Sequence, residues 1–94
     1  MALNTDVAVP SGAWTQLTAN DVTAITVQNK NVSPVFIKGT VGAVPPTDAT
    51  GAIVLEALKG VQNTLLSDLW PGIAATRVYA FSPVGTAAVM VSHA

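Results

Sequence analysis

Short runs of aliphatic and β-branched residues, each closed by a cluster of turn formers, set the rhythm of this chain. The turn clusters are VPSG at 9–12, AND at 19–21, NKN at 29–31, AVPPTDATG at 43–51, KG at 59–60, WPG at 70–72 and SPVG at 82–85. Between them Val, Ile and Thr recur, side chains that fit a pleated surface. Strands are predicted at Ala13–Leu17, Val22–Asn29, Val35–Thr40, Ile53–Leu58, Val61–Leu66, Arg77–Phe81 and Thr86–Ser92. Strand signals roughly every 8–12 residues point to one all-β domain over 1–94, a small antiparallel β-sandwich or barrel of about six to eight short strands.

Alternation assigns faces within these strands. Thr23, Ile25 and Val27 share one side and Ala24, Thr26 and Gln28 the other. In the last run Ala87, Val89 and Val91 oppose Ala88, Met90 and Ser92, a second set so weakly polar that both faces are expected to be covered. One segment reads two ways. Val54, Leu58, Val61, Leu65 and Leu69 have helical spacing, so Ile53–Trp70 fits a single amphipathic helix as well as two strands. Gly60 at its centre, costing about 1 kcal/mol in a helix relative to Ala, favours the strands. Ser67–Trp70 is expected to form one helical turn, capped by Ser67 and stopped by Pro71.

Composition changes the picture at the surface. Half of the 94 residues are hydrophobic and only 10% are charged, against about 25% in an ordinary soluble domain; mean hydropathy is +0.51. Four basic and five acidic residues cannot cover the roughly 5,100 Å² that a monomer of this mass exposes. Self-association or a larger partner is the expected cover. No run of about 18–20 apolar residues offers a membrane span, and MALNTDVAVP lacks the basic and apolar regions of a signal peptide. The basic residues are few and dispersed, so neither nucleic acid nor membrane is an expected partner. With no cysteine, disulfides and thiolate metal sites are impossible.

The search for chemistry finds little. His93 is the only histidine, and Gly-x-Ser-x-Gly is absent. TDATGA lacks the repeated acidic ligands of a calcium loop, and Lys59-Gly60 inverts the order of a phosphate-binding loop. Neither catalytic residues, metal nor cofactor are expected.

The aromatic residues are the informative feature. Three of five, Trp70, Tyr79 and Phe81, fall with Arg77 within twelve positions beside Trp-Pro-Gly, while Trp14 and Phe36 lie far upstream. Trp, Tyr and Arg concentrate at the energetic centres of interfaces. On a strand, Arg77, Tyr79 and Phe81 share one side and the smaller Val78 and Ala80 the other. Trp70, Arg77, Tyr79 and Phe81 are therefore the expected protein interface, with Pro71 and Gly72 presenting Trp70. Pro45 and Pro46, which stiffen a nearly uncharged loop, are a second candidate. The competing reading makes Tyr79 and Phe81 core and turns Val78 and Ala80 outward; the buried guanidinium it implies counts against it.

The stretches ITVQNKNVSPVFIKGT, VPPTDATGAIVL, LSDLWPG and TRVYAFSPVGTAAVMVSHA resemble small β-rich virion proteins of tailed bacteriophages, of the head-decoration (cement) or head-spike and fibre-base type. The resemblance covers most of the chain and carries no defined binding residue. It implies a non-enzymatic protein of the phage particle, made in the host cytoplasm. Such a protein self-associates, for instance as a trimer, and binds a major capsid protein on the outer head surface or another virion component. The alternatives are a small β-sandwich binding module, for example for glycans stacked on Trp70 or Trp14, and a tail or connector component.

Overall fold

The computed structural model describes residues 2–94. Its strands are β1 (Leu3–Val9), β2 (Thr15–Gln16), β3 (Ala24–Asn29), β4 (Val35–Thr40), β5 (Ile53–Leu55), β6 (Gly60–Leu65), β7 (Arg77–Phe81) and β8 (Ala87–His93), with one helical turn, α1 (Leu66–Leu69), between β6 and β7. They form two four-stranded antiparallel sheets, ordered β1-β8-β3-β6 and β2-β7-β4-β5. The pairs nest: first with last, second with seventh, third with sixth, fourth with fifth. The chain is thus one long antiparallel hairpin, folded over on itself into two layers. This strand order is that of an eight-stranded jelly roll.

The alternation seen in the sequence becomes the core. Ile25 and Val27 of β3, Val35 and Ile37 of β4, Val78 and Ala80 of β7, and Ala87, Val89 and Val91 of β8 all point between the sheets and are buried. Ile53–Leu65 forms the two strands β5 and β6 around a turn at Glu56–Lys59, not a helix. Two expectations need correction. The helical turn starts one residue early: Leu65 is its N-cap, no side chain caps it, and Ser67 lies inside it. Leu66, its buried residue, fixes the turn by packing into the core. The amino-terminal segment, for which no strand is predicted, forms β1 and pairs with β8 over seven residues.

Among the few polar residues buried with these apolar ones, Asn29 is enclosed completely. At the end of β3, where the chain leaves the first sheet for the second, the Asn29 Nδ2 donates to the carbonyls of Ser33 (2.8 Å), Leu55 (3.1 Å) and Glu56 (3.3 Å). Its Oδ1 accepts from the Asn31 N–H at 2.9 Å. Asn31 in turn accepts from the Ala88 N–H (3.3 Å) and donates to the Thr86 carbonyl (3.2 Å). The two asparagines tie the β3–β4, β5–β6 and β7–β8 connections together at one end of the sandwich. Asn29→Ala leaves the buried Leu55 carbonyl and the part-buried Ser33 and Glu56 carbonyls without this donor, a buried group so orphaned costing about 1–3 kcal/mol. It should destabilise by about 2–3 kcal/mol, lowering the melting temperature by roughly 10–20 °C. Asn29→Asp, which cannot donate, should do no better in the same thermal melt.

Candidate interaction surface

The five aromatics divide into one that seals the core and four on the outer face of the second sheet. Trp70 follows α1, is 8% exposed and belongs to the core cluster. Its ring lies against Gly39 of β4 so closely that a Cβ there would stand 2.6 Å from the indole Cε3. The indole N–H donates to the Gly51 carbonyl at 3.0 Å, pinning the β4–β5 loop. Trp70 is therefore core, correcting the expectation that it is displayed for a partner. Only a shallow cleft of about 370 Å³, bounded by Leu69, Pro71 and Ile73, reaches its edge.

On β7 the faces fall as the alternation requires: Val78 and Ala80 inward, Arg77, Tyr79 and Phe81 outward. Tyr79 is nonetheless only 3% exposed. Its register neighbours Gln16 and Lys38 flank it, and its hydroxyl donates to Gln16 Oε1 at 3.1 Å. Tyr79 too is unavailable for contact, because it is enclosed on the sheet's own surface. Arg77, half-buried, donates from Nε to Asp21 Oδ1 at 2.6 Å.

Phe81 leads to the residues that sequence reasoning missed. The register sets Phe81 opposite Phe36 on β4 and Phe36 opposite Val54 on β5. Trp14, immediately before β2, reaches Phe81 from the other side, its ring centroid 5.2 Å away. The Phe36 and Phe81 rings stack at 6.3 Å with planes 8° apart, within the favourable range for aromatic pairs. Trp14, Phe81, Phe36 and Val54 thus form a row across all four strands. The three rings are half-buried and Val54 is 52% exposed. No local window shows this row; only strand pairing assembles it.

Connections at one end of the sandwich expose further apolar side chains. Val32 precedes β4, Val84 follows β7 and Leu58 follows β5, and they are 86%, 64% and 60% exposed. Leu58 is held at φ 62°, a left-handed conformation costing a non-glycine residue about 1–2 kcal/mol. The Pro45–Pro46 loop lies at the opposite end of β4, with Pro45 exposed and Pro46 half-buried.

The outer face of the second sheet carries two cations, Lys38 and Arg77, and both are paired within the chain. Lys30 pairs with Asp6 (2.8 Å), Lys38 with Asp48 (3.2 Å) and Arg77 with Asp21 (2.6 Å). Three of the four cations are thus paired within the chain. His93 is buried, with the Ala19 N–H donating to its Nε2 (3.1 Å) and its Nδ1 3.0 Å from the Ala94 carbonyl, so both ring nitrogens are engaged. A cleft of about 440 Å³ beside β3 and β6 has one titratable lining residue, Lys59. Among the described residues no three His, Cys, Asp or Glu side chains gather as metal ligands. No family model, curated protein or solved structure matches the chain.

Two predictions follow from this division of labour. Trp70→Ala should cost about 3–5 kcal/mol in denaturant unfolding, whereas Trp14→Ala, at a half-open site, should cost under about 1.5 kcal/mol. The second concerns Asp48, held below the ordinary aspartate value first by the Thr50 backbone N–H and then by Lys38. A carboxylate so depressed stabilises its loop fully above its unfolded value and loses that hold as pH falls through the folded one. Protection of the Thr50 amide against hydrogen exchange, corrected for intrinsic rate, should drop over that acidic interval, and Asp48→Asn should abolish the change.

Proposed function

We propose that the protein is a structural component of a tailed-phage particle, a capsid-decoration module that attaches to the outer head surface through the outer face of its second sheet. The observation that carries this reading is the row Trp14–Phe81–Phe36–Val54, half-open and uncharged across every strand of that sheet. A lone domain gains nothing from leaving three rings half-covered, whereas aromatic anchors dominate protein interfaces. Leu58, exposed in a strained backbone conformation, lies instead beside the outer face of the first sheet, where it lines a cleft with Gln28 and Met90, and it adds nothing to this row. The jelly roll is an architecture in which viral capsid domains and lectins are built. As fold-level analogy this agrees with the resemblance of the sequence to phage head proteins and identifies no site by itself.

A second reading draws on Trp14, whose half-exposed ring in a jelly roll offers a stacking platform for a sugar. The two readings diverge in one experiment. Purified shells lacking the protein, from the phage that encodes it, are mixed with wild type and with Phe36→Ala, Val54→Lys and Leu58→Gly variants. Binding is read by co-sedimentation and by density on the particle. Wild type should coat the shells. Phe36→Ala and Val54→Lys should weaken binding by about 1–2 kcal/mol each, roughly five- to thirtyfold, with the β signature intact. Leu58→Gly, on the side of the first sheet, should bind as wild type does while unfolding at higher denaturant, by about 0.5–1 kcal/mol, because the strain is gone. Bare shells, together with glycan-array binding that Trp14→Ala abolishes, would replace decoration with sugar recognition.

A further inference from the structure

We infer that the β1 edge is a self-association site, where a second copy of this chain adds its own β1 antiparallel and joins two four-stranded sheets into one of eight. Every open sheet edge presents unpaired backbone donors and acceptors, and stable proteins blunt such edges by shortness, bulges, charge or proline. Three of the four edges here are blunted. β2 has two residues and β5 three. β6 is bulged: its register against β3 shifts between Ile25 and Val27, so that Gln62 and Asn63 stand opposite Thr26, and Asn63 sits at φ 42°. β1 has none of these devices. It runs seven residues in unbroken register with β8, contains no proline and carries one charge, Asp6, already matched by Lys30 at 2.8 Å. Among the described residues, no backbone hydrogen bond links β1 to any element other than β8.

The side chains of β1 specify the occupant. Leu3 and Val7 pack against the core and remain half-covered at the sheet margin, with exposed Thr5 between them on the same side. A twofold axis through Thr5 sets Leu3 of each copy opposite Val7 of the other, Thr5 opposite Thr5, and Asp6 opposite Asn4. The inward faces then match and the aliphatic pairs complete each other's burial. A shift of the axis to Asp6 confronts two carboxylates, and a shift to Val7 brings Pro10, which has no N–H, into the ladder. An axis at Thr5 avoids both and, unlike one at Asn4, which sets Leu3 opposite Thr5, it matches Leu3 with Val7. This pairing stands independently of the phage reading, since it needs only a second copy.

The chain contains no cysteine, so a single Thr5→Cys substitution tests the register directly. Opposed residues in antiparallel strands have Cα atoms about 4.5–5.5 Å apart, within disulfide range. Mild oxidation should convert Thr5→Cys to a covalent dimer, while Thr47→Cys on the β4–β5 loop stays monomeric on a non-reducing gel. Untagged wild type should sediment as a dimer, and Thr5→Lys, placing two cations face to face, should weaken that dimer roughly tenfold or more. Circular dichroism checks that both variants fold. A wild-type monomer at the highest soluble concentration overturns the inference, as does a dimer that Thr5→Lys leaves intact and Thr5→Cys fails to trap. Shell binding by Thr5→Lys reports on decoration separately, so either proposal can fail while the other stands.

Discussion

The arrangement depends on one buried amide. A chain folded as a nested hairpin crosses between its sheets at almost every connection, and each crossing leaves backbone carbonyls that neither ladder can satisfy. Asn29 answers three of them from a single side chain, at Ser33, Leu55 and Glu56. The exit from the first sheet after β3 and the return to it after β5 are thereby fixed against each other. Unsatisfied, those groups would carry the full cost of burial without a partner. Because Phe36 and Val54 lie near those same connections, the amide also sets how the outer row of the second sheet is presented. The interaction that completes the core thus positions the surface.

Trp70 performs the corresponding task at the opposite end. Gly39 leaves room for the indole on β4, and the indole N–H holds Gly51. The β4–β5 loop is therefore tied by Trp70 and, further out, by the Lys38–Asp48 pair. The two ends differ in character. One is closed by an aromatic ring turned inward and the other by amides, while both turn aliphatic side chains outward, Val41 and Val44 at the first and Val32, Leu58 and Val84 at the second.

What the sequence made legible was whatever depends on local period. β4 and β7 lie where the Val-Ile-Thr runs predict them, and Val78 and Ala80 face inward, the choice that Arg77 on the opposite row favoured over the competing one. The expected β-sandwich follows from those runs and the turn clusters between them. What stayed hidden depends on pairing. Trp14 and Phe36 are remote in sequence from Phe81, and nothing nearby in the chain announces that register will align them. Trp70 misleads for the converse reason: closeness in sequence to Tyr79 and Phe81 reads as a cluster, yet α1 carries it to the far side of β4, into the core. The one sequence signal for that seat was Gly39, a residue without a side chain in the middle of a strand. β1 was concealed by composition. Leu3, Val7 and Val9 alternate correctly, but Asn4, Thr5 and Asp6 between them weaken the strand signal. Pairing with β8 overrides that weak propensity.

The two surfaces are geometrically compatible, which neither requires of the other. A twofold axis that pairs β1 with its copy runs perpendicular to the sheets, so it preserves which face of each sandwich is outward. The rows of Trp14, Phe81, Phe36 and Val54 in the two copies then point the same way, while the ends bearing Val32, Leu58 and Val84 point in opposite directions. A dimer so built presents two apolar rows to one side. Each row alone is small, three rings and a valine, and would hold a large partner weakly. Joined rigidly, the second contact becomes intramolecular, and avidity of about 10²–10⁴ over a single contact becomes available when both reach their targets. In such a dimer of a chain this poor in charge, specificity would come from that geometry, because a surface that fits only one row would receive only the weak affinity of one.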